Sequence, residues 1–412
     1  EKKGDRAILV HVHLYGTGYS QDVSEFSGLA KAANIHNLYL KELKRKLPTP
    51  KYFIGHGQAE QIKLDMATHD ANVILVNHDI SAAQGRNLEQ LLGCRVIDRT
   101  ELILDIFAQR ARSYEGKLQV ELAQLQHIRT RLIRGWTHLE RQRGGIGMRG
   151  PGETQLETDR RLLDQRIQSI KKKLGKVFKQ RSLGRSNRQR SGLPVISCVG
   201  YTNAGKSTLF NQLACSDVDV QDMLFATLDP TLRVLELATV GQAVLADTVG
   251  FIRELPHDLV AAFSATLEET KQADLLLHVV DSSHQSLEEV IASVNTILSD
   301  IGASDVPVLF VYNKIDLLAD SEPLIKRDDD NTPVGVWVSA ADGVGMDLLK
   351  TAIDDILSSD YLTITIDLHP SQAKLRAKLY SIGSVQAERL GEHGNSCVDL
   401  KISRFYYNKL LR

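Results

Sequence analysis

The chain has 412 residues, 42% of them hydrophobic and 25% charged, with a net charge of -1 at pH 7. That length allows about two to four domains with ample core; no apolar run approaches the roughly 18 residues of a membrane-spanning helix, and the N-terminus lacks a secretory signal layout. Cys94, Cys198, Cys215 and Cys397 have neither metal-site spacing nor a disulfide framework, which excludes a disulfide-stapled scaffold and points to a cytoplasmic protein, read as a monomer.

Residues 1–112 alternate short apolar strands (7–14, 73–76, 95–98) with helical patterns (24–33, 58–67, 82–92). Such alternation predicts a small parallel α/β domain. Gly55-His56-Gly57 opens the middle helix; one short Gly-x-Gly reads as a turn and cap before it reads as a second nucleotide site. His11 and His13 fall on the first strand, where packing is the simpler role.

Residues 113–190 change register. Leu118, Leu122, Leu125, Ile128, Leu132, Trp136 and Leu139 recur at steps of three and four, and so do Leu156, Leu163, Ile167, Ile170, Leu174 and Val177. Two such stripes predict two helices paired as an antiparallel coiled-coil hairpin. Residues 110–190 also carry 21 Lys and Arg against 7 Asp and Glu, a net of +14 that leaves -15 for the rest. A basic segment of this density is the footprint of a polyanion partner. The tip, residues 141–154, holds five glycines and one proline among basic side chains. Glycine allows close backbone approach, and Arg141, Arg143 and Arg149 can pair with phosphates or stack on bases, which suits folded RNA. Lys171, Lys172 and Lys173 extend the basic face, and the Ser-rich, basic stretch 181–191 reads as a linker.

Residues 191–360 carry the chemistry. Gly200-Tyr201-Thr202-Asn203-Ala204-Gly205-Lys206-Ser207-Thr208 contains a complete G-x-x-x-x-G-K-[ST] loop between an apolar strand (195–199) and a helix. Its backbone N–H groups can cradle phosphates, Lys206 can reach the β and γ phosphates, and the Ser207 hydroxyl can ligate Mg²⁺. Asp247-Thr248-Val249-Gly250 closes another strand; Asp247 can hold the Mg²⁺ hydration shell through water, and the Gly250 N–H can touch the γ-phosphate. Asn313-Lys314-Ile315-Asp316 follows a third strand, and the Asp316 carboxylate can accept two hydrogen bonds from guanine. Adenine offers neither donor, and a site deprived of its partners discriminates by about 10⁴ to 10⁵. Ser339-Ala340-Ala341 would lay a backbone N–H against the guanine O6. Five ordered motifs on alternating strands and helices imply a P-loop GTPase domain, mostly parallel sheet with helices on both faces.

Phe225-Ala226-Thr227-Leu228-Asp229-Pro230-Thr231 is the candidate segment for closing over Mg²⁺, with Thr227 the favoured ligand and Thr231 second. Lys206, Thr227 and Gly250 are thus the expected catalytic residues. Phe251 stands where many GTPases carry a water-orienting glutamine, so unaided hydrolysis is expected to be slow. Asn203 is a candidate ligand for K⁺; the plainer reading is a turn asparagine. Residues 361–412 alternate as strand, helix and strand, a small α+β domain. The start at Glu1 and the end at Arg412 read as trimmed termini, leaving that last domain incomplete.

Taken together, the motifs at 200–211, 225–231 and 247–251, with Gly-Pro-Gly-Glu-Thr at 150–154 beside the basic hairpin, resemble the HflX family, ribosome-associated translational GTPases of the Obg and HflX group. A hydrophobic residue at the Phe251 position is typical of that group. The resemblance covers essentially the whole chain and implies binding to the large ribosomal subunit, its rRNA and proteins. It further implies insertion of the hairpin tip toward the peptidyl-transferase centre and help in splitting or rescuing stalled ribosomes under stress. GTP hydrolysis would then switch the protein off. The alternative is a GTP-gated regulator whose coiled coil docks a non-ribosomal protein.

Overall fold

The computed structural model describes residues 6–14, 23–35, 37–140, 151–191, 193–214, 225, 231–252, 269–284, 286–319, 321–359, 361–381, 384–390, 395–403, 407 and 410. The chain divides into two compact units: Glu1–Gln180 with Gln221–Asp229 and Ile252–Ala265, and Arg181–Val220 with Pro230–Phe251 and Thr266–Arg412.

In the first unit β1 (Arg6–Leu14) is buried from Ala7 to Val12, as expected of a parallel strand covered on both faces. With β2 (Asn37–Arg45), β3 (Val73–Val76) and β4 (Arg95–Asp98) it forms an all-parallel sheet in the order β2-β1-β3-β4. Helices α1 (Val23–Ala32), α2 (His56–His69), α3 (Ala82–Leu92) and α4 (Arg99–Arg110) connect and follow the strands. Local chemistry sets their starts. Gly55 caps α2, its N–H donating to Gln58 Oε1 at 2.9 Å. Ser81 and Gln84 exchange the two hydrogen bonds of a capping box at α3. Asp98 accepts the Glu101 N–H at 2.8 Å to open α4. The edge strand β2 and helix α4 are additions to the predicted elements: β2, with Lys41, Glu42, Lys44 and Arg45 among its leucines, has too weak an apolar pattern to announce itself.

Two long helices follow, α5 (Tyr114–Glu140) and α6 (Pro151–Ser191), the latter belonging to this unit as far as Gln180. Leu118 and Leu122 of α5 pack with Ile167, Ile170 and Leu174 of α6, the stripe residues read from the sequence. Ion pairs Arg166–Glu121 at 2.6 Å and Arg129–Asp164 at 2.9 Å flank that seam. Two boundaries differ from expectation. Helix α6 begins at Pro151, a residue pre-organised for a first helical position, so residues 151–154 are helical and not loop. It also runs through 181–191, the expected linker, because its arginines, glutamine and leucine favour helix and no proline interrupts. Arg141, Arg143 and Arg149 lie outside the described residues; Lys171, Lys172 and Lys173 are exposed on α6.

The second unit is built on a seven-stranded sheet in the order β10-β11-β9-β8-β5-β7-β6. Its strands are β5 (Val195–Gly200), β6 (Thr231–Leu237), β7 (Gly241–Asp247), β8 (Leu275–Asp281), β9 (Val308–Asn313), β10 (Leu324–Arg327) and β11 (Pro333–Trp337). The five central strands are parallel; β6 and β10 pair antiparallel at the two edges. Alternate strand residues such as Ile196, Cys198, Leu245 and Leu277 form a core with α7 (Lys206–Ala214) and the helix Met346–Ser358. Asp354 of that helix accepts the Thr239 and Val240 N–H groups at 2.8 and 2.9 Å, fixing the turn between β6 and β7. The last residues form a three-stranded antiparallel sheet in the order β12 (Tyr361–Leu368), β14 (Ser396–Ser403), β13 (Val385–Leu390). Leu379 of the helix Ala373–Ser381 packs with Val398, Leu400 and Ile402 of this sheet. No described helix is long and apolar enough to cross a membrane.

Candidate nucleotide site

The C-terminal ends of β5, β7, β8 and β9 bring the predicted motifs to one edge of the seven-stranded sheet, the place where open α/β sheets bind ligands. The loop after β5 must turn sharply into α7. Gly205 makes the turn possible: its φ is +91°, and a Cβ there would stand 2.2 Å from Asn313 Nδ2. Asn203 also adopts a left-handed φ of 60° and is exposed, which agrees with the turn reading.

Lys206 is buried at the start of α7, and its Nζ donates to the Tyr201 carbonyl at 2.7 Å. Burial lowers its pKa to about 8, with Asp247 opposing the shift; a phosphate beside it would restore the charged form. Ser207 Oγ donates to Asp247 Oδ2 at 2.8 Å. This pair of hard oxygen donors, one hydroxyl and one carboxylate on neighbouring elements, fits Mg²⁺, which needs only one or two protein oxygens and keeps its waters.

Beyond Asp247 the chain is tied back to the loop. The Thr248 hydroxyl donates to the Cys198 carbonyl at 2.6 Å. The Phe251 N–H donates to the Gly200 carbonyl at 3.0 Å, and the Phe251 carbonyl accepts the Thr202 N–H at 2.8 Å. These bonds set Gly250 against the phosphate loop. The Phe251 side chain is buried, and an aromatic ring in any case has no group to align water.

At the base end, Asn313 works as a bolt: Nδ2 donates to the Ala204 carbonyl and Oδ1 accepts the Ala340 N–H, both at 2.9 Å. It joins the phosphate loop to the Ser339 loop. Asp316 Oδ1 accepts from the Ser339 hydroxyl at 2.6 Å, which aims the carboxylate expected to read guanine. The Ser339 N–H goes to the Val344 carbonyl. Of the three candidate donors to O6, Ala341 is therefore the one whose N–H has no partner among the described residues.

Sequence reasoning missed one member of the site. Asp281, at the end of β8, pairs with Lys314 Nζ at 2.7 Å and lies in register with Asn313. Burial alone would raise its carboxyl, yet hydrogen bonds from Lys314 and Ser283 hold it below the usual range. The signal available was its position as the last residue of an apolar strand. Thr227, with Ala226, Leu228 and Asp229, lies outside the described residues. Phe225 is described: it is buried, and its ring meets Phe107 of α4 edge-on at 4.6 Å.

Comparison with known proteins agrees with this geometry. Residues 20–108 match the GTP-binding GTPase N-terminal family, residues 110–188 the GTP-binding GTPase middle region, and residues 195–314 the family described as 50S ribosome-binding GTPase. A protein of Escherichia coli (strain K12) named GTPase HflX is 52% identical over 409 residues, spanning 99% of this chain and 96% of that protein. GTPase HflX of Caldanaerobacter subterraneus subsp. tengcongensis is 43% identical, spanning 95% and 90%. Among solved structures, a GTP-binding protein from the hyperthermophilic archaeon Sulfolobus solfataricus in complex with GDP is similar at 25% identity. The match covers 86% of this chain and 99% of that one, with a TM-score of 0.44.

Proposed function

The chain belongs to the HflX family of GTPases and hydrolyses GTP, and from that premise we propose that it acts on the large ribosomal subunit as a factor that splits or rescues stalled ribosomes. The observation that carries the reading is the basic helix pair. From the seam at Leu122 and Ile170, the remaining turns of α5 and the preceding turns of α6 each run about 27 Å at 1.5 Å per residue. Were the helices parallel, residues 141–150 would have to span about 55 Å, whereas that many residues reach about 40 Å at most. That arithmetic supports an antiparallel hairpin, in which Arg141, Arg143 and Arg149 belong to the connecting tip. A glycine-rich basic tip at that distance suits a crevice in folded RNA, with the peptidyl-transferase centre as its target.

The domains follow as 1–112, 113–190, 191–360 and 361–412. In the GTP state Thr227 and Gly250 hold the γ-phosphate and order their loops, Ser207, Thr227 and Asp247 hold Mg²⁺, and hydrolysis releases the arm. If Asn203 takes K⁺, hydrolysis will run faster in potassium than in sodium; equal rates leave it a turn asparagine. Ribosomal groups complete the site that Phe251 leaves without a water-orienting side chain.

Steady-state GTP hydrolysis in potassium buffer, with large subunits, small subunits or neither, tests this. Strong stimulation by the large subunit alone is expected, with a steep fall in affinity as salt rises. Substituting Arg141, Arg143 and Arg149 together should weaken subunit binding and leave GTP affinity near normal. Fast unaided hydrolysis with no subunit effect would instead favour a coiled coil that docks a protein.

A further inference from the structure

We propose that the Thr202 hydroxyl is a sensor of the third phosphate: it donates a hydrogen bond to a γ-phosphoryl oxygen and so separates GTP from GDP. The inference rests on the GTPase chemistry and not on the ribosomal partner.

Most of the phosphate loop offers backbone N–H groups to a nucleotide, but Thr202 has spent its own. That N–H donates to the Phe251 carbonyl at 2.8 Å, leaving the side chain as the only donor at this position. Thr202 is 6% exposed, and its Oγ1 is buried with no hydrogen-bond partner among the described residues. Buried hydroxyls are rarely left unpaired, because the desolvation is not recovered.

The surroundings indicate what the partner is. A Cβ placed on Gly250 would lie 2.8 Å from Thr202 Cγ2 and 3.0 Å from Lys206 Nζ. Three groups therefore meet at one point: the Thr202 side chain, whose methyl touches this corner and whose hydroxyl shares the same Cβ, the glycine whose N–H is expected to meet a γ-phosphate, and the ammonium expected to reach the β and γ phosphates. The guanine end belongs with Asp316 and Ser339, which leaves the phosphate end of the nucleotide for this corner. A neutral donor also suits the place. A hydroxyl adds a directed hydrogen bond without placing a second cation beside the Lys206 ammonium.

The test uses the whole chain with Thr202→Val, Thr202→Ser and Thr202→Ala, titrated with fluorescent GDP and a non-hydrolysable GTP analogue. Valine keeps the branched shape and removes the hydroxyl. Loss of one hydrogen bond to a charged group predicts a drop in GTP-analogue affinity of about tenfold to a hundredfold, with GDP affinity retained as the check on folding. Serine should restore the preference for the GTP analogue. Equal loss for both nucleotides, no loss for either, or serine behaving like valine would each overturn the proposal. If valine abolishes GDP binding, the serine and alanine variants make the same comparison.

Discussion

At the C-terminal ends of β1, β3 and β4 the first sheet places His11, Asn77 and Arg99; at the ends of β5, β8 and β9 the second places Lys206, Asp281 and Asn313. Both are parallel sheets with polar groups at the edge where such folds bind ligands, yet they spend those groups differently. Arg99 donates to Asn77 Oδ1 at 2.8 Å, the Asn77 amide lies 2.9 Å from His11 Nδ1, and Arg99 pairs with Glu25. That edge is a network of side chains that satisfy one another. In the second sheet a glycine loop replaces such side chains with backbone, and the polar groups that remain aim the loop instead of filling it. Capacity for a ligand thus depends less on having polar strand ends than on whether they hold a backbone loop open or close upon one another.

The strongest way to break this contrast is to fill the second edge. Gly205→Val would add a Cβ 2.2 Å from the Asn313 amide at a φ of +91°. Clash and left-handed strain together cost about 4 kcal/mol or more, so nucleotide affinity should fall about a thousandfold, measured by fluorescent GDP titration. Near-normal affinity would mean that Asn313 can swing away and is no bolt.

The converse change opens the first edge. Arg99→Met takes the guanidinium from a carboxylate whose side chain is 10% exposed, a loss of about 3 kcal/mol for a broken buried pair. Denaturant unfolding should record that loss, while GTP affinity stays unchanged. A matching fall in GTP affinity would show that the network serves the nucleotide site and is not merely structural.

These two edges also differ in how far they could be read from sequence. The nucleotide motifs were legible because each is a local solution: a turn that requires glycine, a lysine and hydroxyl at fixed spacing, an aspartate closing a strand. Partners set by distant pairing were not. Arg99 and Glu25 are 74 residues apart, and nothing local distinguishes either from a surface charge. Asp281 became a site residue only through Lys314, and the ties of Asn313 to Ala204 and Ala340 join residues far apart in the chain. The long helices were legible from their apolar stripes, whereas their ends were not, since a proline at 151 reads as loop until it is seen at a first helical turn.

A finer comparison lies in two buried histidines. Burial, first of all, lowers both His11 and His278 to about 4. His11 has Asn77 as a partner; His278, on β8 with its ring 5.2 Å from Phe310, has neither ring nitrogen hydrogen-bonded among the described residues. In each case the unfolded chain takes up a proton near pH 6.5 while the fold resists until about pH 4, so stability is lost as pH falls through that window. For His278 the loss at pH 5 relative to pH 8 is about 2 kcal/mol. His278→Leu keeps a similar volume and sacrifices no hydrogen bond, so it should match or exceed the parent in stability at pH 7.5 and flatten the acid limb by that amount in denaturant unfolding. The same change at His11 would leave the Asn77 amide short of its acceptor and should destabilise at every pH. If His278→Leu instead weakens the protein at neutral pH, this imidazole has a partner in the folded protein after all, and the two sheets handle their buried histidines alike.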